Sequence, residues 1–201
     1  MKSMKLYLIA TCSLSLLAAS CYGPRAYTRG EYADPAEIQL LSDNFSENDL
    51  QLIARRMVES LQESAAFERI EGSPLIIVGE MENRTSEHID MSSLADKVRV
   101  QLIRTDKFTF IDRDARQEIA EEYEYQQSGY VRPDQAAGPG EQHAADYLLT
   151  GRISSIVQEA GRDRMIYYKM TMQLTNLRTG VIEWADEKEL RKKFRQRAVT
   201  W

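Results

Sequence analysis

The residues best equipped for chemistry stand together in one stretch, the octet, which runs from Asn83 to Asp90. The guanidinium of Arg84 can donate two parallel hydrogen bonds to a carboxylate. The imidazole of His88 could act as a general base, or as a contact that changes its charge near neutral pH. The octet therefore predicts a binding site. The alternative is a connecting loop whose polar groups only satisfy N–H groups at a helix end.

The rest of the chain offers little from which to build a catalytic site. The sequence has two histidines, His88 and His143, and it contains no Gly-x-Ser-x-Gly and no His-Glu-x-x-His motif. A cluster of glutamates could bind a cation, although such a cluster is more typical of a solvated helix face: Glu118, Glu121, Glu122 and Glu124. We therefore expect no enzyme activity, no metal, no cofactor and no small-molecule substrate.

Two elements must position the octet. Before it, the apolar run Leu75–Val78, rich in β-branched residues, predicts a buried central strand that extends to Met81. After it, Ser92 offers an N-cap for a helix whose apolar residues recur at helical spacing. These are Met91, Leu94, Ala95, Val98 and Leu102. A polar segment between a buried strand and a helix is a common place for function in α/β proteins.

Other helices are predicted on both sides of this unit. Ser46 and Asp49 indicate a capping box at the start of a helix that ends near Phe67. After a short strand, Lys107–Asp112, a helix capped by Asp112 or Asp114 should run to about Tyr125. Its inward residues would be Ile119, Ala120 and Tyr123, and a short helix should follow at residues 141–145.

The last part of the chain is predicted to be β-structure. Alternation predicts one strand from its inward residues Tyr147, Leu149, Ile153 and Val157, and another from Ile166, Tyr168, Met170, Met172 and Leu174. A turn at residues 176–180 should return the chain as a hairpin that places Trp184 in the core or at the sheet edge. Outward Tyr167 and its neighbouring threonines could form a binding face or only a solvated surface. The fold class predicted is a single α/β domain with a mixed β-sheet flanked by helices.

The first residues indicate export rather than fold. Lys2 and Lys5 precede a short apolar run, and Ala18-Ala19-Ser20 stands before Cys21 in the manner of a lipoprotein signal. We expect a signal peptide of residues 1–20 and acylation of Cys21. The alternative is an ordinary secretory signal cut near Ala19. Tyr22 after the cysteine, in place of aspartate, favours the outer membrane.

Composition limits the kinds of partner and cross-link, and its changes along the chain predict the segment boundaries. The formal net charge of −5 does not favour nucleic acid, and the two cysteines, Cys12 and Cys21, allow no disulfide framework in the domain. Residues 21–44 read as a flexible linker, residues 45–190 as the globular domain and residues 191–201 as a basic tail. That tail could touch anionic lipid, wall polymer or an acidic partner, or it could be a frayed, solvated terminus.

Several of these stretches together resemble one family. The octet is similar to a loop of the LpoB family of penicillin-binding protein activators, and further matches follow in the same order at Gly72–Leu75, Lys107–Asp112, Gly151–Ile156, Tyr167–Met172 and Thr179–Trp184. The resemblance implies a fold similar to the N-terminal domain of TolB. It also implies an outer-membrane lipoprotein, anchored through acylated Cys21, whose domain lies in the periplasm.

The function implied by this resemblance is regulation of peptidoglycan synthesis. The protein would bind, as a monomer, to a bifunctional class A penicillin-binding protein and activate it. As the partner-binding residues we assign the polar part of the octet: Asn83, Arg84, Thr85, Ser86, Glu87 and His88. The alternative function is that of a non-catalytic structural or assembly lipoprotein in another cell-envelope complex, because fold alone does not fix function.

The lipidation signal gives a direct prediction. Cells fed an alkyne analogue of palmitate should label the wild-type protein, and Cys21→Ser should abolish the label because it removes the acylated thiol. Cys12→Ser is the matched control and should keep the label, since Cys12 lies inside the segment that is cut away. Equal labelling of the Cys21→Ser protein would show that the lipoprotein interpretation is wrong.

Overall fold

A computed structural model describes residues 34, 37, 40 and 42–196. The predicted signal peptide, Cys21, most of the linker and the residues after 196 lie outside the described residues. The chain divides into two units, Met1–Glu37 and Ile38–Trp201, and the fold belongs to the second. No helix within the described residues is long and apolar enough to cross a membrane.

The described part of the second unit contains four helices and five strands. The helices are α1 (Glu47–Gln62), α2 (Ala65–Arg69), α3 (Met91–Ile103) and α4 (Arg116–Gln127). The strands are β1 (Leu75–Arg84), β2 (Thr109–Ile111), β3 (Tyr147–Ala160), β4 (Asp163–Asn176) and β5 (Ile182–Arg195).

The strands form one mixed sheet in the order β2-β1-β3-β4-β5. β1 is parallel to both β2 and β3, and the remaining pairs are antiparallel. The predicted α/β class with a mixed sheet is confirmed. The central strand, however, is β3 rather than β1, and within β1 only Ile76 is fully buried. The long β3–β4–β5 meander is stabilised by local hairpins, which place these three strands at the centre and at one edge.

The core lies on one face of the sheet. All five residues predicted to point inward from β4 are buried, at 0–1 % exposure: Ile166, Tyr168, Met170, Met172 and Leu174. Trp184 of β5 is buried beside them, as predicted. Helices α1 and α3 pack against each other and against this face. The predicted packing of helices against the sheet is therefore confirmed for α1 and α3, and the face that carries Tyr167 and Thr171 stays half-exposed.

The first helix begins as predicted and ends earlier. Ser46 and Asp49 form the capping box, in which the Asp49 carboxylate accepts from the Ser46 N–H at 2.8 Å. The prediction of one helix to Phe67 is wrong. The chain breaks after Gln62, and the Ser64 hydroxyl accepts from the Phe67 N–H at 3.1 Å and so caps α2 as a separate helix.

Four further predictions need correction. Asp90, not Ser92, caps α3, because its carboxylate accepts from the N–H groups of Ser92 and Ser93. Helix α4 has no buried residue, and Ala120, predicted inward, is exposed. Residues 141–145 form no helix, and Val157 is exposed at the outer end of β3. Apolar character alone therefore did not predict burial at Ala120 and Val157, which are both exposed.

The basic segment near the end of the chain is also different from the prediction. Strand β5 continues to Arg195, so residues 191–195 pair with β4 and are not a frayed tail. Lys192 is 4 % exposed and forms an ion pair with Asp49, which is equally buried. Its ammonium also donates to the Asn44 carbonyl at 2.7 Å and lies 5.7 Å from the centre of the Tyr168 ring. A lysine on the core face is tolerated because these groups replace its water.

The buried ion pair predicts a large loss of stability when the Lys192 side chain is removed. Lys192→Ala should lower the free energy of unfolding by about 3–5 kcal/mol, since Asp49 would be left buried without its counter-charge. Lys193→Ala is the matched control, because Lys193 is exposed and its surface ion pair is worth at most about 1 kcal/mol. Urea unfolding measures the free energy of unfolding of both variants. If both lose the same small amount of stability, Lys192 is hydrated rather than buried.

Candidate functional site

The octet begins in the sheet and not after it. Strand β1 runs to Arg84, and Asn83 and Arg84 are paired in register with Ile153 and Ser154 of β3. The prediction that the strand ends at Met81 is therefore too short. The loop proper consists of residues 85–90 and leads into α3. The octet is thus fixed at one end by a strand and at the other by a helix.

Two inward residues build the loop from within. The Asn83 amide donates to the Glu87 carbonyl at 2.9 Å. Its side-chain oxygen accepts from the Thr85 N–H at 2.9 Å and from the Thr85 hydroxyl at 2.8 Å. The Thr85 hydroxyl oxygen in turn accepts from the Glu87 N–H at 3.1 Å. Asn83 and Thr85 thus use their hydrogen-bonding groups to close the turn, as asparagine and threonine commonly do in turns.

Glu87 connects the loop to the body of the domain. One carboxylate oxygen accepts from the Phe45 N–H at 2.6 Å, and the other accepts from the Tyr168 hydroxyl. Burial, followed by this hydrogen bond to Glu87, raises the pKa of Tyr168 well above its usual range. The phenol therefore stays protonated and keeps donating, so the loop is held on the segment before α1 and on β4.

Three of the six assigned residues face the solvent instead: Arg84, Ser86 and His88. The Arg84 side chain is 57 % exposed, and its Nε lies 2.7 Å from a carboxylate oxygen of Glu82. An exposed pair of this kind is weak. The guanidinium is therefore oriented by Glu82 but remains available to a stronger acceptor on another molecule.

The C-terminal end of the octet is anchored by burial and capping. Ile89 is buried at 7 % exposure, directly beside exposed His88. Hydrogen bonds from Ser92 and Ser93 lower the pKa of the Asp90 carboxyl, which keeps this N-cap charged at neutral pH. The structure thus places all six predicted residues at the end of β1 and in the loop that follows, but it divides them into an inward set that holds the loop and an outward set that is accessible.

Sequence reasoning missed the groups that hold the loop in place. The alternation of residues in β4 predicted that Tyr168 points inward. No residue near it in the sequence indicated that Glu87 would be its hydrogen-bond partner. Phe45 contacts the Tyr168 ring edge-on, with 5.5 Å between ring centres. These contacts join residues far apart in the chain, and a single sequence carries no signal for them.

The other candidate surfaces have simpler explanations. On the open sheet face, Tyr167 donates to Glu189 and Lys169 pairs with Glu187 at 3.6 Å, so these side chains satisfy one another across the strands. On α4, Gln117 and Gln126 donate to Glu121 and Glu122 one turn away. Among the described residues, no group of three His, Cys, Asp or Glu side chains is placed to hold a metal ion.

Comparison with known proteins places these features in a family. The family model described as the peptidoglycan-synthase activator LpoB matches residues 49–190. No curated protein matches the chain.

Solved structures with similar folds include LpoB domains from two bacteria. The C-terminal domain of LpoB from Escherichia coli is 17 % identical, with a TM-score of 0.46, covering 71 % of this chain and 98 % of that one. The C-terminal domain of LpoB from Salmonella enterica is also 17 % identical, with a TM-score of 0.45, and it covers 71 % of this chain and 98 % of that one. The NMR structure of E. coli LpoB is 18 % identical at a TM-score of 0.42, covering 89 % of this chain and 86 % of that one.

The assignment rests on the family model, because the structural likeness is too distant to carry it. The matched residues extend from the first helix to β5 and include the whole octet. The chain therefore belongs to the LpoB family of peptidoglycan-synthase activators.

Proposed function

We propose that this protein is a lipid-anchored regulator that binds a bifunctional class A penicillin-binding protein and raises its rate of glycan-strand synthesis. The observation that carries the proposal is the family match over residues 49–190. In this proposal the catalytic residues of the partner carry out glycan-strand synthesis, and this chain contributes only binding energy.

The geometry of the octet supports its use as the contact surface. Arg84 is exposed at the end of β1, and Ser86 and His88 are exposed on the loop that follows, whose backbone is fixed by Asn83, Thr85 and Glu87. Binding through such a loop loses little conformational entropy because the loop is already ordered. Arg84 can present two donors to a carboxylate of the synthase, which would displace the weaker contact to Glu82.

The mechanism is a shift in the population of synthase conformers. An activator raises the active fraction only if it binds the active conformer more tightly than the resting one. A tenfold preference corresponds to about 1.4 kcal/mol, which one or two well-placed charged hydrogen bonds supply. No group on the activator has to take part in bond making.

The proposed location is the inner face of the outer membrane, with the domain in the periplasm. Acylated Cys21 would be the anchor, and residues 21–44 the tether. A fully extended tether of this length reaches about 80 Å. The domain acts as a monomer in this proposal, and each anchored copy engages one synthase.

The proposal predicts stimulation in a purified system. Lipid II consumption by the host's own class A synthase should rise when the full-length protein is added in detergent, and the protein alone should consume none. Arg84→Glu should raise the concentration needed for half-maximal stimulation about tenfold or more, because it places a carboxylate where the partner's carboxylate should bind.

Arg132→Glu is the matched control. Arg132 is also exposed and also pairs with a carboxylate two residues away, Asp134, but it lies in the loop after α4 and not in the octet. It should leave stimulation unchanged. A wild-type protein that stimulates no class A synthase of its host contradicts the function. Full stimulation by the Arg84→Glu protein contradicts only the role of the octet.

A further inference from the structure

Three residues at the boundary between the predicted linker and the domain lie against the sheet. We call this segment, Asp43–Phe45, the strap. The Asp43 carboxylate lies 3.2 Å from the guanidinium of Arg164 on β4. The Asn44 carbonyl accepts from the ammonium of Lys192 on β5 at 2.7 Å. The first two strap residues are therefore tied to two different strands, although the strap itself is neither helix nor strand.

The third strap residue joins the strap to the octet. The Phe45 ring packs edge-on against the buried Tyr168 ring, with 5.5 Å between ring centres. The Phe45 N–H donates to one carboxylate oxygen of Glu87 at 2.6 Å, and the Tyr168 hydroxyl donates to the other. Glu87 is half-buried, so loss of either donor leaves a carboxylate that water only partly solvates. The strap and Tyr168 together therefore fix the position of the Glu87 side chain.

Glu87 is also the residue around which the loop turns. Its carbonyl accepts from the Asn83 amide, and its N–H donates to the Thr85 hydroxyl. Ser86 and His88, both exposed, lie on either side of it in the chain. A displacement of Glu87 therefore moves both of these exposed side chains and breaks the hydrogen bonds that close the turn.

We propose that the strap is a positioning element of the activator: docked on β4 and β5, it holds Glu87 and so sets Ser86 and His88 for contact with the synthase. Release of the strap would free the loop but leave Arg84 in place, because β1 pairs with β3 at that residue. This inference rests on the proposed function and adds a regulatory role for the end of the tether.

Docking of the strap and binding of the synthase are then coupled. A synthase that contacts the ordered loop binds the strap-docked form more tightly, so bound synthase must in turn stabilise the docked strap. If the strap is docked in only about one-tenth of the molecules, the apparent dissociation constant rises about tenfold. At saturating protein the synthase still reaches its full rate, because binding itself restores the docked form. A positioning role therefore changes the half-maximal concentration and leaves the maximal rate unchanged.

Phe45→Ala in the full-length protein tests this role. Loss of the ring should release the strap and raise the concentration needed for half-maximal stimulation about fivefold. The maximal rate should stay at the wild-type value. Phe45→Tyr keeps the ring and should stimulate like the wild type. An unchanged half-maximal concentration in Phe45→Ala, or a lower maximal rate, overturns the proposal.

Phe67→Ala is the matched control. The Phe67 ring packs edge-on against the buried Phe108 ring, with 5.6 Å between ring centres, but it belongs to α2 and has no part in the strap. The variant loses a similar aromatic contact and should keep the wild-type half-maximal concentration. An equal rise in both variants would show a general loss of stability and overturn the positioning role.

Hydrogen–deuterium exchange on the protein alone makes the test independent of the synthase. In Phe45→Ala the amides of residues 85–88 should exchange at least about fivefold faster than in the wild type, and in Phe67→Ala they should keep their rate. Unchanged exchange in Phe45→Ala overturns the positioning role even where the wild type stimulates. Where the wild type stimulates no class A synthase, the proposed function fails, whereas faster exchange in the variant still supports the hold of the strap on the loop.

A second variant covers the case in which Phe45→Ala does not fold, which thermal melts establish. Asp43→Lys places a lysine beside Arg164 and should repel the strap without removing an apolar contact. Asp186→Lys is its control, because the Asp186 carboxylate lies 3.3 Å from the Arg56 guanidinium at similar exposure, in a pair that does not involve the strap. A folded Asp43→Lys protein with unchanged half-maximal concentration and unchanged exchange in residues 85–88 refutes the proposal.

Discussion

The buried contact between Lys192 and Asp49 is the interaction on which the arrangement of the domain depends. Both residues are 4 % exposed, and removal of two charges from water costs several kcal/mol for each ion. The cost is offset because Asp49 also accepts from the main chain and hydroxyl of Ser46, while Lys192 donates to the Asn44 carbonyl. The pair can form only when the start of α1 and the far end of β5 meet.

The same cluster extends to the octet through one aromatic ring. Lys192 lies over the ring of Tyr168, Phe45 packs against that ring edge-on, and the Tyr168 hydroxyl donates to Glu87. The conformation of the octet is thus linked to the placement of β5 and of the segment before α1. A loop that is held by the core in this way behaves as a rigid part of the surface, which favours recognition over induced folding.

The sequence alone predicted the parts of the fold that depend on local pattern. The alternation in β4, the β4–β5 turn and the capping box of α1 were correct because each is encoded within a few residues. The failures have a common cause. Lys192 was assigned to a solvated tail because its neighbours are basic, and only a carboxylate on a distant helix makes its burial possible. Likewise, β3 is the central strand of the sheet because it forms a long hairpin with β4. The apolar run in β1 gave no indication of this strand order.

The octet contains side chains of two kinds. Six of its residues were assigned to a partner, yet Asn83, Thr85 and Glu87 use their side chains inside the domain. Loss of any of these three would disturb the loop, so a loss of function there could not be attributed to lost contact with a partner. Arg84 and His88 are different, because their side chains face the solvent and the loop does not need them. The interpretation of the octet as a self-satisfied connection therefore describes Asn83, Thr85 and Glu87, and only the exposed residues are left for the proposed contact with a partner.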